Sequence, residues 1–244
     1  MPLNPGLLLN RRYRIDELHK LGSHGAVYRA FDTNLGVGVA VKENLIAGPE
    51  ALRQFTREAA FLVSMSHPNI PRGTDCFTCG DGQFLVMDYV EGENLSEWIT
   101  HDSLPANQLI PMLKGIFEAV TYIHSRKPRV IHGDVNPANI ILSSHRVPFL
   151  VDFGFAKVLQ PGSLTDQRTD EYSLAATIYA LLTRYIPADS LERAMGREVL
   201  KPARTLNPAV PCHVEAALER AKAVRREDRF PDIVGFWQAL VKEP

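Results

Sequence analysis

At 244 residues, with 45% hydrophobic and 23% charged side chains, the chain has the balance of a globular protein that can bury a core, which excludes a disordered or fibrous segment. A formal net charge of -1 offers no whole-molecule attraction for nucleic acid or for a membrane surface, so partners must be recognised locally. Three cysteines, Cys76, Cys79 and Cys212, are too few for a disulfide framework and point to a reducing, cytoplasmic setting; no apolar run reaches the ~20 residues of a membrane span, and the N-terminus lacks a signal-peptide pattern.

In chain order, strands are expected near Tyr13 to Leu21, Gly25 to Phe31, Val37 to Glu43, Thr74 to Cys79 and Phe84 to Tyr89, interrupted by a helix over Ala51 to Met65. The C-F-T-C run from Cys76 to Cys79 lacks a second cysteine pair to complete a zinc tetrahedron and is taken as ordinary thiols near a hairpin. Helices then dominate. Leu109, Met112, Leu113, Ile116, Phe117, Val120 and Ile123 recur at three and four residues, the stripe of one amphipathic helix. Tyr172 to Leu182 is apolar on almost every side and belongs inside a lobe. A last helix carries Ile233, Phe236, Trp237 and Leu240 on one face. A small sheet-rich part followed by a larger helical part suggests two lobes joined near Asp88 to Gly92, where Gly92 permits a turn, with a ligand cleft between them.

Several polar residues stand out against this frame. Strand alternation puts Val37, Val39 and Val41 on one face and Ala40 with Lys42 on the other. Lys42 follows a glycine-bearing turn, Leu21-Gly22-Ser23-His24-Gly25-Ala26-Val27, whose glycines let backbone amides approach phosphate oxygens. Glu58 lies three residues after Phe55 and four before Leu62, so it faces inward and can pair with Lys42. In His132-Gly133-Asp134-Val135-Asn136-Pro137-Ala138-Asn139, Asp134 and Asn139 share a loop. The run Val151-Asp152-Phe153-Gly154 then brings a second carboxylate, an oxygen donor suited to magnesium.

These features in this order resemble the bacterial, eukaryotic-like serine/threonine protein kinases over Tyr13 to Leu240, supported by Val39-Ala40-Val41-Lys42, His67-Pro68-Asn69-Ile70, Leu85 to Val90 and Asp170-Glu171-Tyr172-Ser173-Leu174. The resemblance implies an α+β, bilobal kinase-like fold with an antiparallel N-lobe to about residue 88, a hinge to about 92 and a helical C-lobe to 244. It implies an ATP- and magnesium-dependent enzyme phosphorylating serine or threonine of a protein substrate; the charge balance and hydropathy add no nucleic acid and no membrane contact from this segment. Lys42 would hold the α- and β-phosphates and Glu58 would hold Lys42. Asn139 and Asp152 would bind metal, and Asp134 would orient the hydroxyl and take its proton. Leu21, Gly22 and Gly25 would cover the nucleotide. The adenine would sit between Val27 and Ala40 on one side and Ile141 on the other, near the Met87 gatekeeper, bonding to backbone around Asp88 and Val90. Asp170 would brace the catalytic loop, either as well as or instead of capping its helix, and His132 is read as structural.

The sequence also departs from that family. The glycine turn is two residues short between Gly22 and Gly25, and only fifteen residues separate Gly154 from Asp170, without an A-P-E motif. Both shortfalls suggest chain missing near Ser23 to His24 and near Ser163 to Leu164, or loops deleted there. Gly133 and Asn136 stand where the family has arginine and lysine, and the loss of two positive charges predicts slower transfer. Two other functions fit parts of the pattern: a pseudokinase scaffold, and a small-molecule phosphotransferase suggested by the H-G-D-x-x-x-x-N run.

Overall fold

The computed structural model describes residues 2–22, 25–159, 166–188 and 190–242. Ser23, His24, Ser163 and Leu164, where chain was expected to be missing, lie outside them. Two compact units emerge, Met1–Glu91 with Phe153–Phe155, and Gly92–Asp152 with Ala156–Pro244.

The first unit is built on a 6-stranded antiparallel sheet of order β1-β2-β3-β4-β6-β5. Its strands are β1 (Leu8–Leu9), β2 (Tyr13–Leu21), β3 (Gly25–Asp32), β4 (Val37–Asn44), β5 (Gly73–Cys79) and β6 (Gly82–Asp88), with helix α1 (Pro49–Ser64) between β4 and β5. Alternation works as the sequence requires: Val39 and Val41 enter a core with Tyr13, Tyr28, Phe84 and Val86, and Ala40 and Lys42 take the opposite face. The N-terminal segment closes over that core. Leu3 N–H donates to the Tyr28 hydroxyl at 3.1 Å, and Tyr28 donates to Glu43 Oε2 at 2.7 Å. Helix α1 opens on Pro49, whose missing N–H costs nothing at a first turn, and buries Phe55, Glu58, Ala59 and Leu62.

In the second unit, β7 (Gly92–Asn94) leads into α2 (Leu95–His101), α3 (Ala106–Met112) and α4 (Lys114–Ser125); β8 (Val130–Ile131), β9 (Ile140–Ser143), β10 (Pro148–Leu150) and β11 (Lys157–Val158) follow. The remaining helices are α5 (Arg168–Thr183), α6 (Ser190–Ala194), α7 (Ala203–Leu206), α8 (Cys212–Ala221) and α9 (Ile233–Val241). Strands β10, β9 and β7 form one small sheet, and β11 pairs with β8. Gly92 owes its identity to crowding rather than to a turn, because a Cβ there would collide with the Leu142 carbonyl across the β7–β9 pair. The single amphipathic helix expected over Leu109 to Ile123 is in fact two. Pro111 lies inside α3, and Leu113 (φ -79°, ψ 0°) ends it, yet Leu109, Leu113, Ile116, Val120 and Ile123 all remain at 0% exposure. The stripe thus survives the break. Phe117 packs against Phe236 and the half-buried Trp237 of α9 with ring centroids 5.5 and 4.8 Å apart, the two buried phenylalanines contributing roughly 2 kcal/mol each. Among the described residues no helix is long and apolar enough to cross a membrane.

Helix α5 is enclosed from its first turn, with Asp170 and Glu171 at 0% exposure. Glu171 Oε1 accepts the Phe230 N–H at 3.0 Å, whereas its buried Oε2 has no hydrogen-bond partner among the described residues. Burial pushes its carboxyl up to about 7 from 4.5, against the opposing pull of the Phe230 amide and the Arg229 guanidinium. A carboxyl raised on folding stabilises fully below its unfolded value, and that contribution is lost as pH rises from 4.5 through 7. Glu171→Gln is therefore expected to match the parent protein near pH 4.5 and to be more stable by about 3 kcal/mol at pH 8, read from urea unfolding. A stability difference that stays flat with pH would count against this assignment.

Candidate active site

The first unit carries a nearly buried ion pair. Lys42 Nζ lies 2.7 Å from Glu58 Oε1 and 2.9 Å from Oε2, with the side chains only 14% and 4% exposed. Strand register fixes Lys42 and the inward face of α1 fixes Glu58, so neither long side chain can wander far. Register also pairs Val27 with Lys42 and Ala40 with Met87, which puts these four on one face of the sheet. Leu21 pairs with Ala26, a member of the opposite-face core, and so does not share the Lys42 face.

Gly22 N–H donates to the Gly25 carbonyl at 2.9 Å. A Cβ on Gly25 would sit 2.5 Å from the Glu43 carbonyl oxygen, so strand packing alone demands glycine there. Asp88 accepts from Arg72 N and Nε, both at 3.1 Å, and Val90 lies half-buried just before the unit boundary. Phe153 is fully buried in this unit, and Gln54 of α1 donates to the Gly154 carbonyl at 2.6 Å, a contact that the sequence did not announce.

In the second unit the loop between β8 and β9 is organised by Asp170. Its Oδ2 accepts from His132 N–H at 2.9 Å and lies 2.8 Å from His124 Nε2, while Oδ1 accepts from Gly133 N–H at 2.8 Å. Asp170 sits within the first turn of α5, after the N-cap Gln167, so it is a brace and not a cap. Gly133 meets the brace at φ 83°, a left-handed backbone that L side chains rarely adopt. His132 is neutral: Nε2 donates to the Val151 carbonyl at 3.1 Å, Nδ1 accepts the Asp134 N–H at 3.3 Å, and burial depresses its pKa.

Asp134 is held from two sides. Asn136 Nδ2 donates to Oδ1 and Asn139 Nδ2 to Oδ2, each at 2.9 Å. Asn139 N–H also bonds the Asn136 carbonyl at 3.0 Å, and Val151 N–H bonds the Asn139 carbonyl at 2.9 Å, which ties the approach to Asp152 onto this loop. Asp152 takes φ 62°, a conformation that aspartate tolerates at a cost of roughly 1 kcal/mol. Asn139 donates through its nitrogen, and its amide oxygen, like the Asp152 carboxylate, is a hard donor of the kind that could hold a metal. Among the described residues no group of three His, Cys, Asp or Glu side chains could hold a metal. Such a sparse set suits magnesium, which keeps several waters and takes further oxygens from a substrate phosphate. Ile141, half-buried in β9, pairs with Asn94 and Phe149. A cavity of about 680 Å³ opens beside Asp134 and Asn136, walled by Tyr172, Ala176, Ala180 and Tyr185.

Comparison with known proteins gives a consistent result. A model described as "Protein kinase domain" matches residues 16–173. The probable serine/threonine-protein kinase PknB of Lactococcus lactis is 29% identical over 260 aligned positions, covering 93% of this chain and 41% of the relative, so the chain spans about two fifths of that relative's length. The probable serine/threonine-protein kinase YbdM of Bacillus subtilis is 29% identical over 74% of this chain and 73% of its own. Among solved structures, the kinase domain of Mycobacterium tuberculosis PknI matches with a TM-score of 0.80 and 26% identity, covering 98% of both chains.

The left-handed backbone at Gly133 makes a direct test possible. Gly133→Ala and Gly133→Arg should each lower the unfolding free energy by about 1 kcal/mol, and Gly133→Asn by less, because asparagine tolerates this region. Equal stability of all four proteins in chemical denaturation would remove the constraint.

Proposed function

The chain belongs to the protein kinase domain family, and from that premise we propose that it transfers the γ-phosphate of ATP to a serine or threonine hydroxyl of a protein in the cytoplasm. The observation that carries the reading is Asp134: a carboxylate fixed by two amides at the edge of a cavity wide enough for a protein side chain. Asp134 orients the incoming hydroxyl and accepts its proton, a role worth roughly 10²–10⁴-fold in rate. Lys42, steadied by Glu58, contacts the nucleotide phosphates, and Asn139 with Asp152 holds magnesium. Within the first unit, Val27, Ala40 and Met87 share the Lys42 face and would line the nucleotide, with backbone around Asp88 and Val90 as hydrogen-bonding partners. Bound ATP and magnesium supply the phosphoryl group and neutralise its charge; the protein contributes position and preorganised dipoles. The choice of serine or threonine is supported by the names of the similar bacterial proteins.

Labelled phosphate from ATP and magnesium should appear on casein as phosphoserine or phosphothreonine, and Asp134→Asn should reduce that labelling at least 100-fold. Undiminished labelling by Asp134→Asn, or labelling of an aminoglycoside in place of protein, would overturn the assignment. The cavity makes a separate prediction. Ala180→Trp, which fills its wall, should raise KM for the protein substrate about 10-fold with KM for ATP within twofold, since it narrows only the protein side. A parallel rise in both constants would rule out the cavity as the approach for protein.

A further inference from the structure

We infer that Asn136 is a positioning residue that sets the base Asp134 and the metal-binding amide Asn139 together, through opposite ends of one side-chain amide. The inference rests on the phosphotransfer reading of Asp134 and deepens it. At one end, Asn136 Oδ1 accepts from Ala138 N–H at 2.9 Å and from Asn139 N–H at 3.2 Å, capping the short turn Pro137–Asn139. Pro137 has no N–H to offer, so these are the first two donors of the turn and both are used. At the other end, Nδ2 donates to Asp134 Oδ1 at 2.9 Å. Asn139, oriented by the turn that Asn136 caps, returns a second amide donor to Asp134 Oδ2 at 2.9 Å and to the Asp134 carbonyl at 3.0 Å.

The closed circuit has a geometric consequence. Each carboxylate oxygen has two acceptor sites, and each spends one on an asparagine, so the carboxylate is locked in rotation while one site per oxygen faces a hydroxyl. No other side chain of this length satisfies both ends. Aspartate has the acceptor without the donor, lysine has donors without an acceptor, and alanine has neither. The absent positive charge at position 136 is thus exchanged for orientation. Asn136 also lines the cavity beside Asp134, so the locked carboxylate presents its open sites on the side from which a protein hydroxyl arrives.

The test uses the full chain and three variants. Asn136→Asp keeps the cap but faces Asp134 with a second carboxylate; we expect Tm within 2 °C of the parent, KM for ATP within twofold and kcat at least 30-fold lower. Asn136→Ala should lower both Tm and kcat, and Asn136→Lys should lower kcat as well. A kcat within threefold of the parent for Asn136→Asp overturns the inference, as does a rise in kcat for Asn136→Lys, which would make the missing charge and not the clamp the limiting feature. An NMR readout keeps this test separate from the kinase assignment. The Asn136 side-chain amide resonance should respond to Asp134→Asn with a clear change of chemical shift, while the side-chain amide of the distant Gln108 stays where it was. An unresponsive amide overturns the clamp even if the protein phosphorylates casein. A responsive amide in a protein that transfers no phosphate upholds the clamp and removes only the activity.

Discussion

The second unit depends on one buried anion. Asp170 is fully removed from water at the start of an enclosed helix, and a carboxylate in that position must find donors or lose its charge. It finds three: the amides of His132 and Gly133 and the ring of His124. Two of those donors are backbone, so satisfying the anion dictates the path of the loop itself. Gly133 must turn left-handed to present its N–H, and His132 must lie flat enough to reach Val151 on one side and Asp134 on the other. The position of Asp134 is therefore a by-product of solvating Asp170 with protein.

The same logic recurs in the first unit with the signs reversed. Lys42 leaves β4 on the face away from the Tyr28 core, and the inward stripe of α1 brings Glu58 to meet it. Each charge is nearly buried and each makes the other tolerable. On the opposite face of the same strand, Glu43 is engaged by Tyr28, which in turn receives the N–H of Leu3. Strand β4 is consequently held from both sides by neighbouring residues of alternating direction.

Much of this was legible from spacing alone. Alternation put Lys42 opposite Val39 and Val41 and the three-and-four rule turned Glu58 inward, because both depend on local periodicity that a sequence prints directly, whereas Asp134 and Asn139 stood out through the family resemblance of their loop run. What could not be read depends on contacts between distant segments. The break at Leu113 left the apolar stripe unchanged, so periodicity could not register it. Gly92 looked like a turn glycine, and only the approach of Leu142 shows otherwise. Leu21 entered by resemblance and not by spacing: alternation from Tyr13 and Ile15 already puts it on their face, and the two register shifts of the β2–β3 pairing, between Ile15 and Glu17 and between Leu18 and Lys20, cancel and leave it there. His124, the third donor to Asp170, is an unremarkable residue in the last turn of α4 whose role appears only when α5 lies beside it.

Gly133 and Asn136 looked in the sequence like two independent losses of charge, yet they serve one arrangement. A loop with arginine and lysine at these positions could use long cations to reach anions from a distance; with glycine and asparagine it must bring donors into contact. Gly133 accomplishes this through backbone, by adopting a φ that places its amide on Asp170, and Asn136 through a short amide that spans Asp134 and the next turn. Contact replaces reach, and the gain is rigidity, since short groups lose little rotamer entropy when fixed. Neither residue is cationic, so the donors that this loop brings to Asp134 and Asp170 are neutral amides, and what they fix is direction rather than charge.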